Sequence, residues 1–267
     1  MSLDNQSIEL AEYLAETYFP HDAIDPIAMA SKVGITSSVG HYEDAFDGLL
    51  ELRERRFHIY VNKDRLGPPT TPRARFTVAH ELGHYFIDSH RLGLLRGLAP
   101  HPSFTEFQSD YLIERQADEF AANLLMPPRR FAASAKRIES GLVAILKLAE
   151  LNRTSVMSTA IRYARTDVAP VAVMLWAETE RRWCWSATNV WNITQNKAHK
   201  LSKNVPPGSL TQQLLAGSSV TTDEAQGSVL SQWYPFVRVG SRVDHLCREQ
   251  AIRLGNFGVL TVLTLDS

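Results

Sequence analysis

The sequence predicts an α+β chain: a mainly helical first domain with a small β-sheet, a helix-turn-helix-like pair, and a C-terminal α+β domain. Two observations carry this. Apolar residues recur at helical spacing over 7–18 and again over 111–126, and strand-like runs with turn signals occupy 49–62, 171–186 and 258–265. The boundaries that follow are 1–138, 139–166 and 167–267.

Bulk properties set the class. Over 267 residues, 44% hydrophobic and 21% charged residues describe an ordinary globular chain, and a net charge of -1 gives no global pull toward nucleic acid or anionic membrane. Two cysteines, Cys184 and Cys247, fall short of a disulfide scaffold and point to a reducing compartment. The first residues lack a basic region followed by an apolar core, and the apolar stretch near 168–177 is too short to span a bilayer as a helix. Cytoplasmic location and no membrane partner are the expectation.

In chain order, Ile8, Leu10, Ala11, Leu14 and Ala15 mark a helix that ends before Pro20. Asp25 caps a second helix with Pro26 at its first position, and Gly34 closes it. Leu49, Leu50 and Leu52 lead through Arg53-Glu54-Arg55-Arg56 into Phe57-His58-Ile59-Tyr60-Val61-Asn62, a β-hairpin. The free edge of its second strand is expected to accept an extended peptide. Seven cations against three acids over 51–75 read as a solvated hairpin and loop.

Next comes Thr77-Val78-Ala79-His80-Glu81-Leu82-Gly83-His84-Tyr85-Phe86, which contains His-Glu-x-x-His. On a helix, His80 and His84 share a face and can aim two imidazoles at one point, a donor pair suited to Zn²⁺. Glu81, beside the first histidine, is placed to act as base on water. A glycine- and proline-containing stretch over 91–107 is read as a flap over the cleft. The helix over 111–126 follows, with a small-residue face at Ala117 and Ala121 that suits close helix packing.

Two residues compete as third ligand. His90 sits at the third position of a His-Glu-x-x-His-x-x-Gly-x-x-His pattern, but Ile87 stands where that pattern needs glycine, and a β-branched residue disfavours the positive φ of the swing. Glu114 is preferred. Asp118 lies four residues on along the same helix face and can accept the second N–H of a ligand histidine. The Glu-x-x-x-Asp spacing is similar to that of the thermolysin-like, or gluzincin, metallopeptidases.

The segment Arg75-Phe76-Thr77-Val78-Ala79-His80-Glu81-Leu82-Gly83-His84, followed by Glu114-Arg115-Gln116-Ala117-Asp118-Glu119-Phe120-Ala121-Ala122-Asn123-Leu124-Leu125-Met126-Pro127, resembles the ImmA/IrrE family of metallopeptidases. The resemblance covers roughly residues 5–165. It implies a cytoplasmic zinc endopeptidase that cleaves a helix-turn-helix transcriptional repressor and so releases a gene programme. It also implies His80, His84 and Glu114 as zinc ligands and Glu81 as catalytic base. The rival reading is a non-proteolytic zinc-binding regulator, such as a toxin–antitoxin or phage-defence partner, against which the intact Glu81 argues.

Beyond the peptidase region, 141–151 and a helix capped by Thr154 or Ser155 form the helix-turn-helix-like pair, with Val156, Ala160, Ile161 and Ala164 on one side. Arg153, Arg162 and Arg165 are its only cations in the second half, so direct nucleic-acid binding is not expected. The family's small-molecule-sensor-like (GAF-like) domain is the reference for 167–267. Trp176, Trp183 and Trp185 are candidates to line a pocket there, whereas Asp244, His245 and Cys247 are read as structural rather than as a second metal site. His58 and Tyr111 receive no catalytic role.

Overall fold

The computed structural model describes residues 3–98, 103, 112–178, 180–193, 204–219, 224–234 and 245–265. The chain folds as two compact units: Met1–Arg130 with Glu150–Ser155, and Phe131–Ala149 with Val156–Ser267. Helices and two small sheets, of 3 and 5 strands, make the predicted α+β fold. Tyr111, Asp244 and residues 99–102 and 104–107 of the expected flap lie outside the described residues.

The first unit begins with α1 (Leu3–Tyr18), α2 (Pro26–Lys32) and β1 (Thr36–Gly40). Next come β2 (Gly48–Arg53), β3 (Arg56–Asn62), α3 (Lys63–Leu66), α4 (Pro72–Phe86), α5 (Asp88–Leu95) and α6 (Leu112–Leu125). Asp25 Oδ1 accepts the Ile27 and Ala28 N–H groups at 3.0 and 3.1 Å, the cap expected for α2. The expected β2–β3 hairpin is present, and its turn holds Glu54 and Arg55 at φ +49° and +63°. Ala11, Leu14, Met29, Ile59, Val78, Leu82, Phe120 and Leu124 are among the side chains that fill one core between the helices and the sheet.

Two expectations change here. The strand at 57–62 has no free edge, because the sheet order is β1-β3-β2 and both sides of β3 are paired. Thr-Ser-Ser-Val-Gly at 36–40 has no apolar alternation to announce a strand, yet it pairs parallel to β3 from Thr36–His58 to Gly40–Asn62. The outer strands are therefore β1 and β2, and the first residue of β2, Gly48, bridges Ser103. The second change concerns residues 91–95, which continue α5 and are not loose chain.

The second unit holds most of α7 (Pro128–Ala135) and α8 (Leu142–Asn152), then α9 (Val156–Arg165), β4 (Val171–Ala177), β5 (Glu180–Ser186) and α10 (Thr188–Ile193). It continues through α11 (Leu210–Leu215), β6 (Gln226–Val229), α12 (Leu230–Trp233), β7 (Leu246–Arg253) and β8 (Val259–Leu265). Its sheet is antiparallel in the order β5-β4-β8-β7-β6. The near-continuous apolar runs of β4 and β8 occupy the middle, where both faces are covered.

The buried face of α9 is Thr159, Ala160, Tyr163 and Ala164, so Val156 and Ile161 sit at its margin and not at its centre. The tryptophans divide. Trp176 is core, packed with Trp233, while Trp185 is 41% exposed and lines a shallow hollow with Arg165, Cys184 and Trp191. Cys247 is buried in the same core, and the only metal-capable cluster among the described residues lies elsewhere.

Candidate metal centre

The start of α4 and the direction of its faces follow from the sequence. Thr71 caps the helix, its Oγ1 accepting the Ala74 N–H at 3.2 Å, and Pro72 takes the first helical position, where no N–H is needed. Val78, Ala79 and Leu82 face the core, which turns His80 and His84 together toward α6, ring centroids 4.8 Å apart. α6 comes close because Gly83 has no side chain: a methyl there would stand 3.1 Å from Ala117 Cα. This is the packing anticipated from Ala117.

The facing helices bring three donors to one point. His80 Nε2 and His84 Nε2 lie 3.0 Å apart, and the Glu114 carboxylate lies 3.1 Å from the first and 3.5 Å from the second. A tetrahedral zinc with ligands at about 2.0 Å sets its ligand atoms roughly 3.3 Å apart, so the spacing fits. Two imidazoles and one carboxylate also leave a fourth position for water. On the outer side of His80, Nδ1 is 2.8 Å from Asp118 Oδ1.

Electrostatics gives the same fit. Burial alone would lower His80, yet its hydrogen bonds to Asp118 and Glu114 override burial and push it up to about 10. Burial would raise Glu114, but the two histidines hold it well below the usual carboxylate range. The cluster holds positive charge strongly, as a cation site must.

Glu81 is set apart from this network. One residue along α4 from His80 it points toward β2, fully buried, and neither carboxylate oxygen has a hydrogen-bond partner among the described residues. A buried carboxylate without partners is costly, and beside three convergent donors it has the position of a base that takes a proton from water. Gly48 makes room for it: a Cβ there would stand 2.8 Å from Glu81 Oε1 and overlap Thr77 Cγ2.

His90 returns to the site on the side away from the convergent atoms. The chain leaves α4 at Ile87 with φ −78°, without the positive-φ swing, and α5 starts at once. That places His90 Nδ1 3.1 Å from His84 Nδ1, with His90 Nε2 3.2 Å from Gln116 Oε1. Burial and the adjoining His84 bring its pKa down to about 4.

Sequence reasoning passed over several residues that shape the site. Asp47, fully buried, accepts from Arg65 Nε at 2.6 Å and Arg73 Nη2 at 2.8 Å, so two cations read as part of a solvated loop are tied down beside Gly48. The Asn62 side chain donates to the Glu43 and Phe46 carbonyls, both at 2.7 Å, holding the loop that leads into β2. The only sequence signal for these was Gly48 itself, a glycine opening a strand.

The sequence profile of the IrrE N-terminal-like domain, a peptidase family, matches residues 51–163, which include both histidines, Glu81, Glu114 and Asp118. No curated protein matches the sequence. Among solved structures, a Mycobacterium tuberculosis transcriptional regulator is similar with a TM-score of 0.56 and 12% identity, covering 97% of this chain and 74% of that one. At that identity the likeness concerns the fold alone. The match supports an assignment of residues 51–163 to the ImmA/IrrE family of peptidases.

Proposed function

We propose that this protein is a zinc-dependent endopeptidase that works in the cytoplasm on one specific protein, a helix-turn-helix transcriptional repressor, and so derepresses genes. The observation that carries the reading is the buried, unpartnered carboxylate of Glu81 beside the His80–His84–Glu114 cluster. A purely structural metal site has no use for such a group.

In this reading His80, His84 and Glu114 hold Zn²⁺, and Asp118 keeps His80 in the tautomer that offers Nε2. When bound, Zn²⁺ supplies Lewis-acid chemistry, acidifying water and polarising a scissile carbonyl. Glu81 receives the proton of the attacking water on its carboxylate and passes it to the leaving amide nitrogen. The substrate strand is assigned to the outer edge of β2 beyond Gly48, since β3 is enclosed and Gly48 is the edge residue that adjoins Glu81. The repressor assignment rests on the resemblance to the ImmA/IrrE family, and the fold neighbour's description as a transcriptional regulator is in keeping with it. No helix among the described residues is long and apolar enough to cross a membrane. Residues 167–267 are assigned a regulatory role.

The test is to incubate the zinc-loaded chain with candidate repressors and read fragments by mass spectrometry. A single cleaved repressor, and no cleavage by Glu81→Gln that still holds zinc, is the expected result. Cleavage by Glu81→Gln at the wild-type rate would remove the peptidase reading.

A further inference from the structure

The two histidines of the cluster are backed by different chemistry. His80 Nδ1 faces a carboxylate, Asp118, at 2.8 Å. His84 Nδ1 faces another imidazole nitrogen, His90 Nδ1, at 3.1 Å, and the chain of contacts ends at Gln116 Oε1, 3.2 Å from His90 Nε2. His84, His90 and Gln116 are all buried, which leaves water little part in these hydrogen bonds.

Two facing ring nitrogens can share only one proton, so this chain has two self-consistent directions. In one, His84 Nδ1–H donates to His90 Nδ1 and His90 Nε2–H donates to Gln116 Oε1; His84 Nε2 then presents its lone pair toward His80 and Glu114. In the other, Gln116 turns its amide nitrogen toward His90, His90 Nδ1–H donates to His84 Nδ1, and His84 carries its proton on Nε2, where it cannot bind a metal. Asp118 has no such freedom, because a carboxylate only accepts.

The geometry assigns His90 and Gln116 as positioning residues that set the tautomer and ring orientation of His84, and so the readiness of the site for its metal. This rests on the reading that His80, His84 and Glu114 hold the ion. It gives His90 a role that the ligand question conceals: it serves the metal through His84 without touching it. Ile87 enables this, since its extended backbone and the immediate start of α5 bring His90 to the rear of the His84 ring.

Imidazole nitrogen NMR on the full zinc-loaded chain reads the tautomers directly. His84 with Nδ1 protonated and His90 with only Nε2 protonated is the expected spectrum; His90 protonated at Nδ1 overturns the assignment. In competition with a chelator, His90→Phe, which keeps a ring and removes the acceptor, should weaken zinc binding about tenfold, the lower end for loss of such a partner. Gln116→Met should weaken it less and mix the two His90 tautomers. Unchanged zinc affinity in both variants, with intact circular dichroism, overturns the inference. Should His90→Phe not fold, Gln116→Met and the wild-type spectrum decide. Failure of the underlying metal reading has a separate signature: His84→Ala would leave zinc affinity unchanged.

Discussion

Glu81 in the first unit and Glu249 in the second are both withdrawn from solvent, at 0% and 1% exposure, but their surroundings are opposite. Glu249 on β7 accepts from Leu210 N–H at 3.2 Å, Thr211 N–H at 2.8 Å and Thr211 Oγ1 at 2.7 Å. It ties the start of α11 to the sheet, and its burial is offset bond by bond. Glu81 has the same chemistry and no hydrogen-bond partner among the described residues. A carboxylate kept dry and satisfied holds the fold together. One kept dry and unsatisfied needs a partner that arrives later, under the proposed function water and substrate.

The comparison can be broken at the Glu81 side first, where the effect is largest. Glu81→Gln should lower the turnover of the substrate by about 10²–10⁴-fold, the range for a positioned acid–base group, with zinc retained and thermal stability unchanged or slightly raised. Rate assays with zinc quantification and a melting curve check all three parts. A marked fall in stability would mean that Glu81 is a structural residue like Glu249.

A second experiment uses pH on the metal-free chain. His80, raised to about 10 in the folded state against an ordinary 6.5, contributes stability that is full below about 6.5 and lost as pH climbs toward 10. His90, lowered to about 4, and Glu114, held below its ordinary range, act in the opposite sense, costing stability as pH falls below about 6.5 and about 4.5 respectively. Their combined effect gives a stability maximum near pH 6.5 in chemical denaturation. Zinc takes the place of the His80 proton, so the loaded chain should not show the decline on the alkaline side. An alkaline decline of equal size with and without zinc would separate the cluster from the metal.

How much of this was legible in the sequence depends on the range of the interaction. The caps of α2 and α4, the shared face of His80 and His84, and the Glu114–Asp118 pair one turn apart all follow from helix geometry over a few residues. The small-residue approach of Ala117 was legible for the same reason. β1 was not, because Thr36, Ser37 and Ser38 become a strand only by pairing with a partner some twenty residues away. The ion pairs of the buried Asp47 were hidden in what looked like a surface charge run. Ile87 keeps a negative φ, as expected of a β-branched residue, but which side of the His84 ring His90 meets depends on where α5 begins. Trp176 and Trp185 share one hairpin, yet one is core and the other rims a hollow, a difference set by the covering helices and not by residue type.

On the second-unit side, Glu249→Gln tests whether the satisfied carboxylate is structural. The amide can accept through one oxygen only, and its nitrogen would meet a backbone N–H, donor against donor. Loss of about 1–3 kcal/mol of stability is expected, the usual cost of leaving a buried donor unpaired, without change in zinc affinity. Burial raises the Glu249 carboxyl and its three donors lower it again, so part of the loss is offset by removing a buried charge. A change in zinc binding would show that the two glutamates are not independent.

The smallest effect belongs to Thr211→Val, which trims one donor and leaves the rest. Thr211 is buried, its Oγ1 lies 2.6 Å from Thr261 Oγ1, and that hydroxyl also donates to Glu249. Valine keeps the shape, so no cavity forms and the two backbone N–H bonds to Glu249 survive. What is lost is one charge-assisted bond and the partner of Thr261, about 1 kcal/mol in all, or roughly 2–4 °C in melting temperature for a unit of this size. If three donors to Glu249 share the task of offsetting its burial, this loss should be clearly smaller than that of Glu249→Gln. A loss as large as that of Glu249→Gln would mean that the hydroxyl, and not the pair of backbone groups, holds the carboxylate, and the staple between α11 and β7 would then rest on a single side chain.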